Sequence, residues 1–150
     1  MLIAMEFVDE GRVINDYGAR YPGEYGGAYR DQGQLVALFT RKLEQHLVRL
    51  RRRLPFPENL SVERALRPYR EIERENEELQ RRLLLEHRHP GVTVVGISMR
   101  EGQFVIMVGI HPYTDAAADD VRRAAEPHVI EVRPMGPVRQ VPNLGSIPNS

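Results

Sequence analysis

The chain has 150 residues, a length that suits one domain or two very small ones. Lysine plus arginine and aspartate plus glutamate number 21 each, so overall charge does not favour nucleic acid as a partner. The contents of 41% hydrophobic and 28% charged residues are typical of a globular protein and exclude a disordered one. Cysteine is absent, which excludes disulfides, thiolate catalysis and thiolate metal sites.

Residues 1–20 are interpreted as an N-terminal extension. Their first part, MLIAMEFVDEG, has a short apolar run before its acidic residues, and it lacks the basic leader and long apolar core of a secretory signal. No stretch of the sequence approaches the roughly 20 apolar residues of a membrane span. The sequence as written therefore predicts a cytoplasmic protein. A secreted or envelope-associated location would follow if the amino terminus has been processed or truncated.

A first α/β unit is predicted over residues 21–69. Two strands, Gly27–Asp31 and Gln34–Thr40, are predicted around a tight turn at Gln32-Gly33, which indicates a β-hairpin. A helix is predicted over 41–54 because four leucines recur at helical spacing, and a weaker strand is predicted over 60–69. The leucines that share one helix face are Leu43, Leu47, Leu50 and Leu54.

A linking helix is predicted over residues 70–90. Its apolar stripe and its Glu–Arg pairs four residues apart are typical of a helix with one packed face, and Pro90 ends it. The acidic segment IERENEELQRRL has heptad-like spacing for barely two heptads, so packing on a sheet is favoured over a coiled coil. The stripe consists of Tyr69, Ile72, Asn76, Leu79 and Leu83.

A second α/β unit is predicted over residues 91–134, followed by an exposed tail over 135–150. A second hairpin is formed by Val92–Ser98 and Phe104–Ile110, whose alternating residues give one strongly apolar face. Thr114 or Asp115 is a suitable N-cap for a short helix that reaches about residue 126. The segment HVIEVRP is predicted as the closing strand, and the proline-containing residues after it indicate a tail.

The two hairpins carry a repeated pattern. The segment GAYRDQGQLVALFT (27–40) aligns without a gap on GISMREGQFVIMVG (96–109), 69 residues later, with four identical positions in fourteen. We interpret this as an internal duplication. The predicted fold class is therefore α+β, with two similar units, each an antiparallel hairpin plus a third strand packed on a helix, joined by the linking helix.

The order of these segments resembles a known family. YPGEYGGAYRDQGQLVALFT, then VERALRPYREIERENEEL, then GVTVVGISMREGQFVIMVGI, is similar to the pro-region of alpha-lytic protease and of streptogrisin-type bacterial serine proteases. The resemblance covers residues 21–141. It departs at Arg70, where a serine usually caps the helix, and no protease domain follows residue 150 in this sequence.

The resemblance implies a protein-binding module and not an enzyme. Such pro-regions fold and inhibit their own protease through a sheet in the carboxy-terminal half and a tail that lies in the active-site cleft. Here the corresponding sheet would be built from Val92–Ser98, Phe104–Ile110 and Val129–Arg133, and the tail would begin near Val138. A partner could then bind at the edge of Phe104–Ile110, as an added strand, or on its outer face, which carries Val105 and Met107. The implied partner is a trypsin-like bacterial protease. The tail residues expected to bind it are Val138, Arg139, Val141 and Asn143.

The sequence contains no recognisable metal-binding or catalytic motif. His87 and His89 form a pair too short to be a metal site, and no third ligand has a diagnostic spacing. His46, His111 and His128 are interpreted as surface or half-buried packing residues. No serine lies in a nucleophile turn. We therefore expect no catalytic residue, no metal and no cofactor.

An alternative partner is anionic. The helix 41–54 contains six basic residues against one acidic, which would suit a nucleic-acid backbone or a membrane surface. The usual role of such a run is a solvated helix face. The residues of this alternative patch are Arg49, Arg51, Arg52 and Arg53.

Overall fold

A computed structural model describes residues 2–136, with side chains described from residue 10 onward. The described residues form two compact units, one of residues 2–75 and 97–105 and the other of 76–96 and 106–136. No helix among these residues is long and apolar enough to cross a membrane. The elements are α1 (Leu2–Ala19), β1 (Tyr25–Asp31), β2 (Gln34–Phe39), α2 (Leu43–Arg51), β3 (Leu60–Arg64), α3 (Tyr69–Gln80), β4 (Val92–Arg100), β5 (Gln103–Ile110), α4 (Asp115–Ala125) and β6 (Glu131–Pro134).

The sheet of the first unit has the order β1-β2-β3. Strands β1 and β2 pair antiparallel, and β3 pairs parallel to β2 after the crossover through α2. The hairpin turns at Gln32 and Gly33, which have φ angles of 49° and 84°. Positive φ at both turn residues matches the twist of the flanking strands in a two-residue hairpin. The predicted first hairpin and its helix are confirmed.

Strand β2 is buried on both faces. Its residues Leu35, Ala37 and Phe39 belong to a core formed with α1 and α2, whereas Val36 and Leu38 face the opposite side. The continuous apolar run LVALF reflects this double burial. The leucine face of α2 is also confirmed. Leu50 and Leu54 are buried, and Leu43 and Leu47 pack against the same core.

Helix α1 was not predicted. The segment interpreted as an extension is helical, and Ile14 and Tyr17 near its carboxyl end are buried in the core of the first unit. Their spacing of three residues places them on one helix face. Residues 10–19 are therefore part of the packed unit.

The second sheet has the order β4-β5-β6, with β6 parallel to β5. Strands β4 and β5 are joined by a two-residue turn at Glu101 and Gly102, which have φ angles of 51° and 75°. Helix α4 begins where predicted, because the Thr114 hydroxyl accepts a hydrogen bond from the Ala117 amide at 3.0 Å. The second hairpin, its helix and its closing strand are confirmed.

Several element boundaries differ from the prediction. Helix α2 is shorter than the predicted 41–54, so Leu54 follows it, and β6 begins at Glu131 instead of at residue 128. The strand expected over 60–69 ends at Arg64, and α3 already begins at Tyr69. Residues Arg81–Glu86 continue α3 as a π-helix, in which the widened turns still bury Leu83. The stripe predicted for this segment is confirmed by the buried residues Ile72, Leu79 and Leu83.

The fold class is α+β, and both sheets have the same topology of hairpin, helix and parallel third strand. The two hairpin turns lie 69 residues apart, at Gln32-Gly33 and Glu101-Gly102, and in both turns the two residues have positive φ angles. A common origin of the two copies by duplication is a proposal that these features support.

The burial of α1 leads to a first prediction. Ile14→Ala should lower the free energy of unfolding by about 2–4 kcal/mol, because it removes a fully buried side chain and leaves a cavity. Asp16→Ala, at an exposed position two residues away, is the matched control and should have little effect. Chemical denaturation of the two variants measures the difference. Equal stabilities would contradict the packing of α1 in this core.

Candidate functional site

A buried hydrogen-bonded network lies in the first unit, centred on His46. The His46 side chain is fully buried, with its Nδ1 2.6 Å from the Tyr17 hydroxyl and its Nε2 2.7 Å from Glu24 Oε1. A neutral imidazole satisfies both contacts when Nδ1 accepts from the tyrosine and Nε2–H donates to the carboxylate. The interpretation of His46 as a surface or half-buried residue was wrong.

Three separate segments position this network. Tyr17 comes from α1, Glu24 lies immediately before β1, and His46 comes from α2. The imidazole stacks on the Phe39 ring at a centroid distance of 3.9 Å, and Arg41 Nε donates to Glu24 Oε2 at 3.2 Å. The network therefore ties α1 and α2 to the start of the sheet.

The electrostatics of the network favour a charged glutamate. The hydrogen bond from His46 lowers the pKa of Glu24, and the Arg41 guanidinium acts in the same direction. Burial raises the pKa of Tyr17, so its hydroxyl stays protonated. A tyrosine, an imidazole and a carboxylate in series can move a proton, but these three are enclosed in the core and Glu24 is only 9% exposed. Their arrangement suits a structural clamp better than a catalytic site.

This network predicts a pH dependence of stability. Since the pKa of Glu24 in the folded chain lies below its ordinary value of 4.5, Glu24 stabilises the fold above pH 4.5. That contribution is lost as the pH falls through the lowered pKa. Glu24→Gln should therefore flatten the loss of stability below pH 4.5, measured by urea denaturation over pH 3–7.

The control for this experiment is Glu44→Gln, which removes an exposed carboxylate of the same unit. That variant should keep the pH profile of the unmodified chain. Identical acid profiles for Glu24→Gln and Glu44→Gln would contradict the clamp.

The residues predicted to bind a partner through the second hairpin lie on β5. Val105 and Met107 are half-buried and alternate with the buried residues Ile106 and Val108, so they lie on the other face of the strand. Strand β5 is the central strand of its sheet, with β4 on one side and β6 on the other. Addition of a partner strand to an edge of β5 is therefore excluded, and only its outer face remains for binding.

The outer face around Met107 has a defined composition. Met107 pairs in register with Glu131, whose carboxylate forms an ion pair with Arg133. A Cβ on Gly109 would overlap Val94 Cγ1 at 2.7 Å, which places Val94 on this face. A Cβ on Gly96 would meet no atom within 4 Å, so the surface beside it is open. We call Val94, Gly96, Met107 and Glu131 the β5 outer face.

The tail residues predicted to bind, Val138, Arg139, Val141 and Asn143, lie outside the described residues.

The basic residues of the alternative patch have different surroundings. The Arg53 guanidinium lies over the Tyr17 ring at 5.2 Å, and Arg49 donates to the Tyr21 hydroxyl at 3.2 Å. All four arginines, including Arg51 and Arg52, are exposed. Two of the four arginines therefore contact the aromatic residues beside the His46 network.

A groove of about 600 Å³ lies in the first unit, and the sequence did not indicate it. The aromatic rings Tyr69 and Phe104 pack edge to face at 5.1 Å on one side, and the Tyr25 hydroxyl donates to Asn15 Oδ1 at 2.8 Å on the other. The available signal in the sequence is the pair Gly26-Gly27, since adjacent glycines are typical of turns or of close backbone packing. The full lining is Asn15, Gly18, Ala19, Pro22, Tyr25, Gly27, Ala28, Tyr69, Arg70, Glu73 and Phe104.

Close backbone packing is what the structure shows at Gly27. Its φ is +96°, and a Cβ there would lie 2.6 Å from Phe104 and 2.8 Å from Tyr69. Only glycine allows the two rings to rest on the strand at this point. The groove floor is therefore the bare backbone of β1.

No group of three or more histidine, aspartate or glutamate side chains is arranged to hold a metal ion within the described part of the chain. The chain matches no protein-family model and no curated protein sequence.

Proposed function

We propose that the chain is a non-enzymatic protein-binding module that binds a trypsin-like bacterial protease in the manner of a pro-region. In this proposal the β5 outer face is the contact surface of the second unit, and the segment from Val138 enters the active-site cleft. The proposal combines the resemblance of residues 21–141 to such pro-regions with the geometry of one face of the second sheet.

The observation that carries the proposal is the open apolar face around Met107. The buried side chains Ile106, Val108 and Ile110 occupy one face of β5, while Met107 on the other face is only half-buried. Beside it, Gly96 leaves the backbone of β4 accessible. A sheet face with a conformationally adaptable methionine and an accessible backbone can accept the surface of another protein closely.

The polar groups at the border of this face suit an interface. Glu131 and Arg133 satisfy each other on β6, so a partner can cover Met107 without leaving an unpaired charge buried. An apolar centre with a polar rim is the usual composition of a protein interface. Methionine is enriched at such centres.

Replacement of Met107 tests the proposed surface. Met107→Asp should weaken binding to a trypsin-like bacterial protease at least about tenfold, because a charge would lose its water in the interface. Binding is measured by calorimetry, and inhibition is measured with a chromogenic peptide substrate.

The control for this variant is Leu85→Asp. Leu85 is an apolar residue of the same unit that is 77% exposed and lies in the π-helix, not in the sheet. This variant should bind like the unmodified chain. Equal affinity of both variants would contradict the role of the β5 outer face, and absence of any binding by the unmodified chain would contradict the proposed function.

The tail has a separate test. Deletion of residues 138–150 should abolish inhibition of the protease and leave the thermal unfolding transition nearly unchanged. The prolines near this segment restrict its conformations and reduce the ordering cost of entering a cleft. Unchanged inhibition after the deletion would reject the role of the tail and leave the β5 outer face to be tested by Met107→Asp.

The anionic-partner alternative has less support. Its four arginines are exposed, and two of them, Arg49 and Arg53, are held against Tyr21 and Tyr17. Binding to a nucleic acid that weakens steeply with salt would favour this alternative.

A further inference from the structure

The groove of the first unit runs along a free strand edge. Strand β1 is the outermost strand of its sheet, and its residues Gly27 and Ala28 form part of the groove lining. Helix α1 contributes Asn15 on one side, and the Tyr69–Phe104 ring pair lies on the other. The groove is thus a cleft with a strand edge at its base and two different walls.

The register of the hairpin shows which backbone groups point into this cleft. In a two-residue hairpin the residues that flank the turn, Asp31 and Gln34, form a hydrogen-bonded pair, and such pairs alternate with non-bonded ones. The pair Tyr29–Val36 is then hydrogen-bonded, whereas Ala28 and Arg30 direct their N–H and C=O groups away from β2. Outside the pairing with β2, no backbone hydrogen bond among the described residues involves the N–H or C=O of Ala28.

The outward-facing N–H and C=O of Ala28 form a donor and acceptor pair that matches the main chain of a peptide. An extended peptide can donate to the Ala28 carbonyl and accept from its amide, as a new strand does at any sheet edge. A helix or a compact small molecule cannot repeat this pairing at the next outward-facing residue, Arg30. The chemistry of the groove base therefore favours an extended segment.

The walls of the groove specify the side chains of that segment. Because Gly27 has no side chain, the Tyr69 and Phe104 rings reach the backbone and leave apolar surface for one large side chain. Arg70 and Glu73 stand exposed at the rim on α3, and neither forms an ion pair with a described residue. A segment with an acidic and a basic residue on either side of an aromatic one would complement both charges.

We propose that this groove binds an extended segment of a partner protein as an added strand on β1, with a large apolar side chain against Tyr69 and Phe104 and oppositely charged residues beside Arg70 and Glu73. This site lies in the first unit and does not depend on the β5 outer face. It gives the chain a second surface for peptides, whatever the partner of the second unit is.

The probe for this site is the blocked heptapeptide Thr-Asp-Val-Phe-Val-Lys-Thr, which places its charges and its ring on the same side of a strand. Peptide is titrated into the full-length chain, and ¹H–¹⁵N spectra follow the amides of Ala28 and Arg30. Both amide signals should shift with one common dissociation constant. Replacement of the central phenylalanine by serine, and N-methylation of alternate peptide residues, should each weaken binding at least about tenfold.

Two substitutions in the chain provide the matched tests. Ala28→Pro removes the outward N–H without removing a bond to β2, and an edge strand tolerates proline at such a position. This variant should weaken peptide binding at least about tenfold. Arg70→Ala should weaken binding by a smaller factor. The exposed residue one helix turn later provides the control, Arg74→Ala, which should bind like the unmodified chain. If Ala28→Pro unfolds the chain, the N-methylated peptide tests the same hydrogen bond.

Some results would overturn the proposal. These are an absence of shifts at Ala28 and Arg30 with millimolar peptide, or equal affinity of the N-methylated and unmodified peptides. Peptide binding that Met107→Asp abolishes would also overturn it, because the peptide would then occupy the β5 outer face. Failure of protease binding alone leaves these outcomes unaffected, so the two proposals are tested independently.

Discussion

The burial of β2 on both faces is the constraint on which the first unit depends. Leu35, Ala37 and Phe39 need cover from α1 and α2, and Val36 and Leu38 need cover on the opposite side. A strand with two apolar faces has to be the central strand, so β1 and β3 flank it and become the edges. The crossover through α2 both covers one face and returns the chain parallel to β2. The open edge of β1 thus follows from the continuous apolar segment LVALF, which makes β2 the central strand.

The His46 network shows how a polar interaction can be built into such a core. The imidazole is fully buried, and a buried ring nitrogen without a partner would cost about 1–3 kcal/mol. Tyr17 and Glu24 satisfy both nitrogens, and Arg41 in turn holds Glu24. Because the partners come from α1, the β1 approach and α2, the network fixes these segments together. Phe39 completes the site by stacking on the ring, which links the network to β2.

Hairpins and amphipathic helices were predictable because their signals are local. The periodicity of two in Phe104–Ile110 and the leucine spacing of α2 depend on residues a few positions apart. Helix α1 was missed because Gly11 and Gly18 lower its helix propensity, although Gly18 is needed where the Tyr25 ring rests on it. The His46 network could not be predicted, since its partners lie 29 and 22 residues away along the chain. The groove was missed for the same reason, because Gly27 meets Phe104 only in the folded chain.

The outer edge strands of the two sheets, β4 and β1, differ in whether side chains of the chain cap their backbone groups. This difference determines where a peptide can bind. On β4, hydrogen-bonded and non-bonded residue pairs alternate from the Glu101-Gly102 turn, and this alternation directs the Val95 carbonyl away from β5. The Gln80 side-chain amide donates a hydrogen bond to that carbonyl at 3.0 Å. That edge is therefore capped by the chain's own side chain, a common means of preventing unwanted strand addition. On β1, no described side chain caps Ala28. Helix α1 and the Tyr69–Phe104 pair instead lie on either side of the β1 edge. They prevent the sheet of another molecule from pairing with this edge, but they leave space for one extended segment. Selective access of this kind distinguishes a binding edge from an aggregation-prone one.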